Sequence, residues 1–128
     1  MAKKKTNGKG KKVLIIEDYP ATSEMILNFL ETEGIKASVA PDGLIGLKMV
    51  GSEKPDLILL DIMMPEMNGF EVLEKLKSDP KTAKIPVIVV SIRASEDSIN
   101  KGKGLGADDY IPKPFDPFKL MEVVRKFL

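Results

Sequence analysis

Leu57-Ile58-Leu59-Leu60-Asp61 is a four-residue apolar run closed by a carboxylate. The run is continuous rather than alternating, as in a strand covered on both faces inside a parallel sheet. Val13-Leu14-Ile15-Ile16 and Val87-Ile88-Val89-Val90 have the same character. Two weaker segments, Ala37 to Ala40 and Asp109 to Ile111, bring the number of expected strands to five.

Stretches of helical length separate these runs. The clearest is the last: Asp116 can cap, Pro117 suits the first helical position, and Leu120, Val123, Val124 and Phe127 repeat on one face. A first helix is expected to start at Pro20, turn Ile26, Phe29 and Leu30 inward, and stop at Gly34. A third has the capping-box pair Asn68 and Glu71, a face of Val72, Leu73 and Leu76, and an end at Asp79-Pro80. The segments around 43 to 53 and 95 to 105 are poorer helices, and Gly102 and Gly104 predict a locally weak element in the second. Five β-α units without an internal repeat define a doubly wound α/β fold with helices on both faces of one parallel sheet.

The chain has 128 residues, of which 43% are hydrophobic and 30% charged, enough for one domain with one core. It has no Cys, His or Trp, which excludes Ser-His-Asp and Cys-His nucleophilic sites, Cys/His zinc sites and disulfides. No apolar run approaches the roughly 20 residues of a membrane span, so a cytoplasmic location without membrane insertion is expected. The net charge of +1 hides an asymmetry. Residues 1–12 hold six lysines and no acid, leaving 14 basic against 19 acidic groups in residues 13–128, a net charge of −5. Residues 1–12 are therefore read as a basic disordered leader and residues 13–128 as the domain.

Ligands of an open parallel sheet bind beyond the carboxyl ends of its strands. Glu17 and Asp18 follow the first run, Asp61 the third strand, Ser91 the fourth and Lys113 the fifth. Taken singly, each has an ordinary role as a cap, turn or solvated residue. Together, three mutually repelling carboxylates call for a cation, and an oxygen-only donor set favours Mg²⁺ with phosphate oxygens as its further ligands. Lys113 and Ser91 Oγ suit those oxygens. Asp61, at the end of the most central strand, is the expected nucleophile, forming an aspartyl phosphate.

Asp61-Ile62-Met63-Met64-Pro65-Glu66-Met67-Asn68-Gly69 and Gly106-Ala107-Asp108-Asp109-Tyr110-Ile111-Pro112-Lys113-Pro114-Phe115 carry a family resemblance. The chain resembles, over residues 13–128, the receiver domain of bacterial two-component response regulators, in a single-domain, chemotaxis-regulator-like form. The resemblance implies a flavodoxin-like sheet of order 2-1-3-4-5 with five helices. It implies that Asp61 accepts a phosphoryl group from a phosphohistidine on a sensor histidine kinase or histidine phosphotransfer protein. Because the chain has no His, that donor is a separate protein. Glu17, Asp18, Asp61 and the Met63 backbone carbonyl would hold Mg²⁺. Ser91 and Lys113 would move onto the phosphoryl oxygens, Tyr110 would turn inward as the aromatic switch, and the Lys113-Pro114 peptide would be cis. The output expected is contact with a downstream target protein, not nucleic acid, through the surface from Ser95 to Leu105, the last strand and the last helix. A phosphorylation-dependent homodimer is a further expectation, and enzyme activity beyond self-phosphotransfer and slow autodephosphorylation is not.

Two positions depart from the family pattern. Glu17 stands where Asp is commoner, and its extra methylene is expected to alter metal geometry without abolishing it. Ile92 follows Ser91 where a small residue is more usual, and its bulk is expected to restrict access to Asp61. A non-phosphorylated pseudo-receiver and a magnesium-dependent phosphohydrolase are the alternatives. The second lacks an acid two residues after Asp61, where Met63 stands. A flavodoxin-like electron carrier fits less well. Gly102-Lys103-Gly104-Leu105-Gly106-Ala107 spells a dinucleotide fingerprint, but it closes a helix before a strand instead of opening one after it.

Overall fold

A computed structural model describes residues 10–128. The disorder expected for the leader falls almost entirely on residues 1–9, outside the described residues. The order of elements is β1 (Lys12–Ile16), α1 (Pro20–Thr32), β2 (Lys36–Ala40), α2 (Gly43–Glu53), β3 (Leu57–Leu60), α3 (Gly69–Ser78), β4 (Val87–Ser91), α4 (Glu96–Gly104), β5 (Asp109–Pro112) and α5 (Pro117–Lys126). All strand pairs are parallel, in the order β2-β1-β3-β4-β5. β1 begins one residue before its apolar run: Lys12 pairs with Lys36, and its N–H donates to Asp56 Oδ2 at 2.8 Å.

The continuous apolar runs are explained by two-sided burial. Val13, Ile15, Leu57, Leu59, Ile88 and Val90 pack under Ile26 and Leu30 of α1 and Leu120, Val123 and Val124 of α5. The alternate residues Leu14, Ile16, Ile58, Leu60 and Val87 pack under Val50 of α2 and Val72, Leu73 and Leu76 of α3. Toward α4, Val89 and Tyr110 join Ile62 and Phe70 in a third cluster. A single-residue register slip would exchange the two faces of any strand. Because both faces are apolar, register here rests on the polar residues that end each run, Glu17, Asp61 and Ser91.

The caps follow the sequence closely. Asn68 Oδ1 accepts the Glu71 N–H at 3.0 Å while Glu71 Oε1 accepts the Asn68 N–H at 2.9 Å, a complete capping box for α3. Asn68→Ala should therefore cost about 1 kcal/mol, read as a lower urea midpoint at unchanged slope. An unchanged midpoint would show the box to be idle. Asp116 caps α5 through the Phe118 N–H, and Gly34 follows α1 in the left-handed conformation at φ 81°.

Three details differ from expectation. In α5, Met121 is buried and Phe127 is only partly so, because the helix ends at Lys126 and Phe127 becomes its C-terminal cap. In α1, Phe29 is half-buried, meeting the exposed ring of Phe118 edge-on at 5.9 Å. Gly102, read as a weak point of α4, is a packing residue: a Cβ there would lie 3.0 Å from the Tyr110 ring. Gly104 does face open space. The placement of both glycines in the last turn of α4 agrees with setting aside a dinucleotide loop.

Candidate functional site

The sheet order places β1 beside β3, so the residues leaving these two strands emerge side by side. The Asp61 N–H donates to the Ile16 carbonyl at 3.0 Å and the Glu17 N–H to the Ala40 carbonyl at 3.0 Å, extending the ladder past the strand ends. Glu17 and Asp61 are 4% and 6% exposed, whereas Asp18 is open to solvent. Glu17, Asp18 and Asp61 can each direct one carboxylate oxygen to within 4.8 Å of the others.

Lys113 is the counter-charge. Its ammonium lies 2.6 Å from Glu17 Oε1 and 3.5 Å from Asp61 Oδ2. The Lys113 N–H bonds the Ser91 carbonyl at 2.9 Å, and the Lys113-Pro114 peptide is cis. Burial pushes the Glu17 carboxyl above the usual carboxylate range; the Lys113 hydrogen bond opposes this, and the charge of Asp61 adds to it. The remaining oxygens are held by backbone. Asp61 Oδ1 accepts the Met63 N–H at 3.2 Å, and Glu17 Oε2 the Tyr19 N–H at 3.1 Å.

The loop after Asp61 is shaped by Gly69. A Cβ at that position would stand 2.2 Å from the Asp61 carbonyl oxygen and 2.7 Å from Ile62 Cα. Only glycine lets the first turn of α3 close onto the end of β3, where the Gly69 N–H bonds the Ile62 carbonyl at 2.9 Å.

Ser91 and Tyr110 both bond Arg93. Ser91 is fully buried, and its Oγ accepts the Arg93 N–H at 3.1 Å. Tyr110 is turned inward, 7% exposed, with its hydroxyl donating to the Arg93 carbonyl. Burial raises the phenol above its ordinary pKa, Arg93 opposes the rise, and Asp61 adds to it. Ile92 is 66% exposed, at the surface beside the loop.

Arg93 is the position in this network that sequence reasoning missed. Its backbone holds both the Ser91 hydroxyl and the Tyr110 hydroxyl. Its Nε donates to the buried Ser98 Oγ of α4 at 3.1 Å, and its guanidinium lies over the Phe70 ring at 5.4 Å. The available signal was position alone: Arg93 lies two residues beyond Ser91, in the loop that leads into α4.

For a hard divalent cation the donor set fits. It offers three carboxylates, two of them buried, with no His or Cys ligand beside them among the described residues. A carboxylate cluster answered by one lysine, at the carboxyl edge of a 2-1-3-4-5 sheet, defines a class of phosphoryl-accepting signalling domains. The family model described as "Response regulator receiver domain" matches residues 13–125, and the chain belongs to that family. PilH of Pseudomonas aeruginosa is 36% identical over 91% of this chain and 97% of its own length. RpaA of Synechocystis, described as a DNA-binding dual master transcriptional regulator, is 38% identical over 91% of the chain. The chain spans about half the length of RpaA and of the P. aeruginosa phosphate regulon regulator PhoB, 48% and 52%. Among solved structures, the Vibrio cholerae chemotaxis protein CheY4 superimposes with a TM-score of 0.87 at 27% identity, covering 92% of this chain and 98% of that one. A CheY-like receiver domain protein from Methanospirillum hungatei gives 0.85 at 33% identity, covering 91% of each chain.

The protein is thus a receiver domain of two-component signalling, and the comparisons favour that over the pseudo-receiver and phosphohydrolase readings. Receiver domains as a class are signalling modules that work with kinases and downstream targets, and they bind Mg²⁺ at an acidic pocket of the kind formed here by Glu17, Asp18 and Asp61. Among the described residues no helix is long and apolar enough to cross a membrane.

Proposed function

We propose that Asp61 is the phosphoacceptor, and that the observation carrying this is its position: a buried carboxylate on the central strand, facing the Lys113 ammonium and flanked by two further carboxylates. An Asp61 carboxylate oxygen attacks phosphorus of a phosphohistidine on a separate kinase or phosphotransfer protein. The P–N bond breaks, and the imidazole leaves with the bonding pair and takes up a proton. Glu17, Asp18, Asp61 and the Met63 carbonyl would hold Mg²⁺, which when bound neutralises charge on the transferring phosphoryl oxygens. Lys113 exchanges its contact with Glu17 for a phosphoryl oxygen, and the Ser91 hydroxyl donates to another while its Oγ keeps accepting the Arg93 N–H.

The phosphoryl group adds about one negative charge and three acceptor oxygens. Drawing Ser91 toward it pulls on Arg93, whose other bonds run to Tyr110 and to Ser98 of α4. The switch therefore acts on α4 and on the face made by α4, β5 and α5, where a target protein or a second copy of the chain would bind. Ile92 at the rim makes donor access selective, water attack returns the resting state slowly, and the protein works in the cytoplasm. Residues 13–128 form the functional unit.

Incubation with acetyl phosphate and Mg²⁺ should give a single phosphoryl adduct by intact-mass spectrometry, and Asp61→Asn should give none. Adduct at equal level on the variant would overturn the assignment. Mg²⁺ itself should stabilise the fold, by about 2.7 kcal/mol at a hundredfold excess over its dissociation constant. Glu17→Gln should lose much of that gain in thermal melts. An identical Mg²⁺ response in wild type and variant would remove Glu17 from the ligand set.

A further inference from the structure

At the edge of the sheet opposite Asp61, the C-terminal ends of α2 and α3 enclose a groove of about 570 Å³. That volume lies within the range of small-molecule sites. Its floor is apolar, built from Val50 and Leu76 with Leu47 and Ile85 at the sides. Three exposed lysines stand around it: Lys54, Lys75 and Lys81.

The usual role for lysines at helix C-termini is to bond the last carbonyls, and here other groups do so. The Lys54 N–H, with Lys54 in the left-handed conformation, bonds the Val50 carbonyl at 3.0 Å. Thr82 Oγ bonds the Leu76 carbonyl at 2.6 Å. The neighbouring Lys77 is consumed by the Ala83 and Ile85 carbonyls and by Asp108. Lys54, Lys75 and Lys81, by contrast, have no ion pair among the described residues. Among the described residues the single acid lining the groove, Asp79, is engaged through Oδ1 by the Lys81 N–H at 2.9 Å. The result is an apolar slot with an excess of unpaired positive charge at its rim.

We propose that this groove binds a small amphipathic anion: an apolar chain lying on Val50 and Leu76, with one carboxylate or phosphate head held by Lys54, Lys75 and Lys81. Charge complementarity selects the head, and the apolar floor selects the chain. α3 joins this groove to the phosphoacceptor loop, since Gly69 at its start touches Asp61 and Leu76 near its end forms the floor. The site shares no residue with the phosphoacceptor site, so its failure would leave that reading intact.

The test is a titration of the full chain, followed by amide NMR, with decanoate, decyl phosphate, decanol and inorganic phosphate as probes. Decanoate or decyl phosphate should shift resonances within residues 47–54 and 75–85 saturably, and the stronger of the two identifies the preferred head. Decanol and inorganic phosphate, each lacking one half of the ligand, should bind at least about tenfold more weakly, the loss expected when exposed cation–anion contacts or the apolar contacts are removed. The triple variant Lys54→Gln, Lys75→Gln, Lys81→Gln should lose affinity by a similar factor. Gly51→Glu provides a second check, because a Cβ at Gly51 meets nothing within 4 Å and the added carboxylate stands in the groove wall without disturbing the core. It should repel both anionic probes while Asp61 still forms its adduct. Equal binding of decanol and decanoate, undiminished affinity in the variants, or shifts confined to other surfaces would overturn the proposal.

Discussion

Gly69→Ala is expected to cost about 4 kcal/mol or more, a loss at the extreme of single substitutions. The added methyl would sit 2.2 Å from the Asp61 carbonyl oxygen and 2.7 Å from Ile62 Cα. Both atoms are backbone, and Ile62 is buried against Phe70, Val89 and Tyr110, so no side chain can swing aside to make room. Relief requires α3 to move away from β3, which breaks the Gly69 to Ile62 hydrogen bond and opens the loop after Asp61. Against a total stability of about 5–15 kcal/mol, the variant should be poorly folded and phosphorylated weakly. The contrast is Gly51→Ala, in the open wall of α2, which should gain about 0.5–1 kcal/mol. Urea denaturation of both variants decides the matter. A Gly69→Ala midpoint near wild type would mean that the loop has room the geometry denies.

Lys113→Met should produce the second large effect. Among the described residues Lys113 is the one cation paired with Glu17 and Asp61, and all three side chains are largely withdrawn from water. Removing one partner of a buried pair leaves the other charge uncompensated, at about 3 kcal/mol or more. Here the orphaned group is chiefly Glu17, whose carboxyl burial already pushes upward. Adding Glu17→Gln to the variant should return much of the loss, because the double variant removes both the charge and its partner. Millimolar Mg²⁺ should return part of the loss in Lys113→Met by replacing the missing positive charge. In the wild type the two substitutions should therefore be strongly non-additive. Additive losses, or a Lys113→Met variant as stable as wild type without Mg²⁺, would show that the ammonium does not carry the balance of the cluster.

The legible parts of the molecule are those set by local chemistry. β1, β3 and β4 showed as continuous apolar runs because both faces of the sheet are covered, and α3 and α5 were marked at their starts by Asn68, Asp116 and Pro117. The strand-end rule brought Glu17, Asp18, Asp61 and Lys113 into one corner, and it did so from residues spaced across almost the whole chain. What stayed hidden depends on shape. Gly102 read as flexibility because the Tyr110 ring that excludes a Cβ comes from another element. Arg93 escaped notice because its contacts to Ser91 and Tyr110 are made by backbone N–H and carbonyl, which every residue but proline carries. Its side-chain bond to Ser98 depends on the path of the loop between them. That Lys113 rests on Glu17 at 2.6 Å and on Asp61 at 3.5 Å is likewise a matter of reach, the longer side chain of Glu17 meeting the ammonium first.

The central claim, that Asp61 and no other carboxylate of the cluster takes the phosphoryl group, is tested most directly by reductive trapping. Borohydride converts an acyl phosphate to a primary alcohol, so an aspartyl phosphate becomes homoserine, and peptide mass mapping locates the changed residue. After treatment with acetyl phosphate and Mg²⁺, conversion at position 61 alone is the predicted result. Conversion at Glu17 or Asp18, or none in the presence of Mg²⁺, would contradict it.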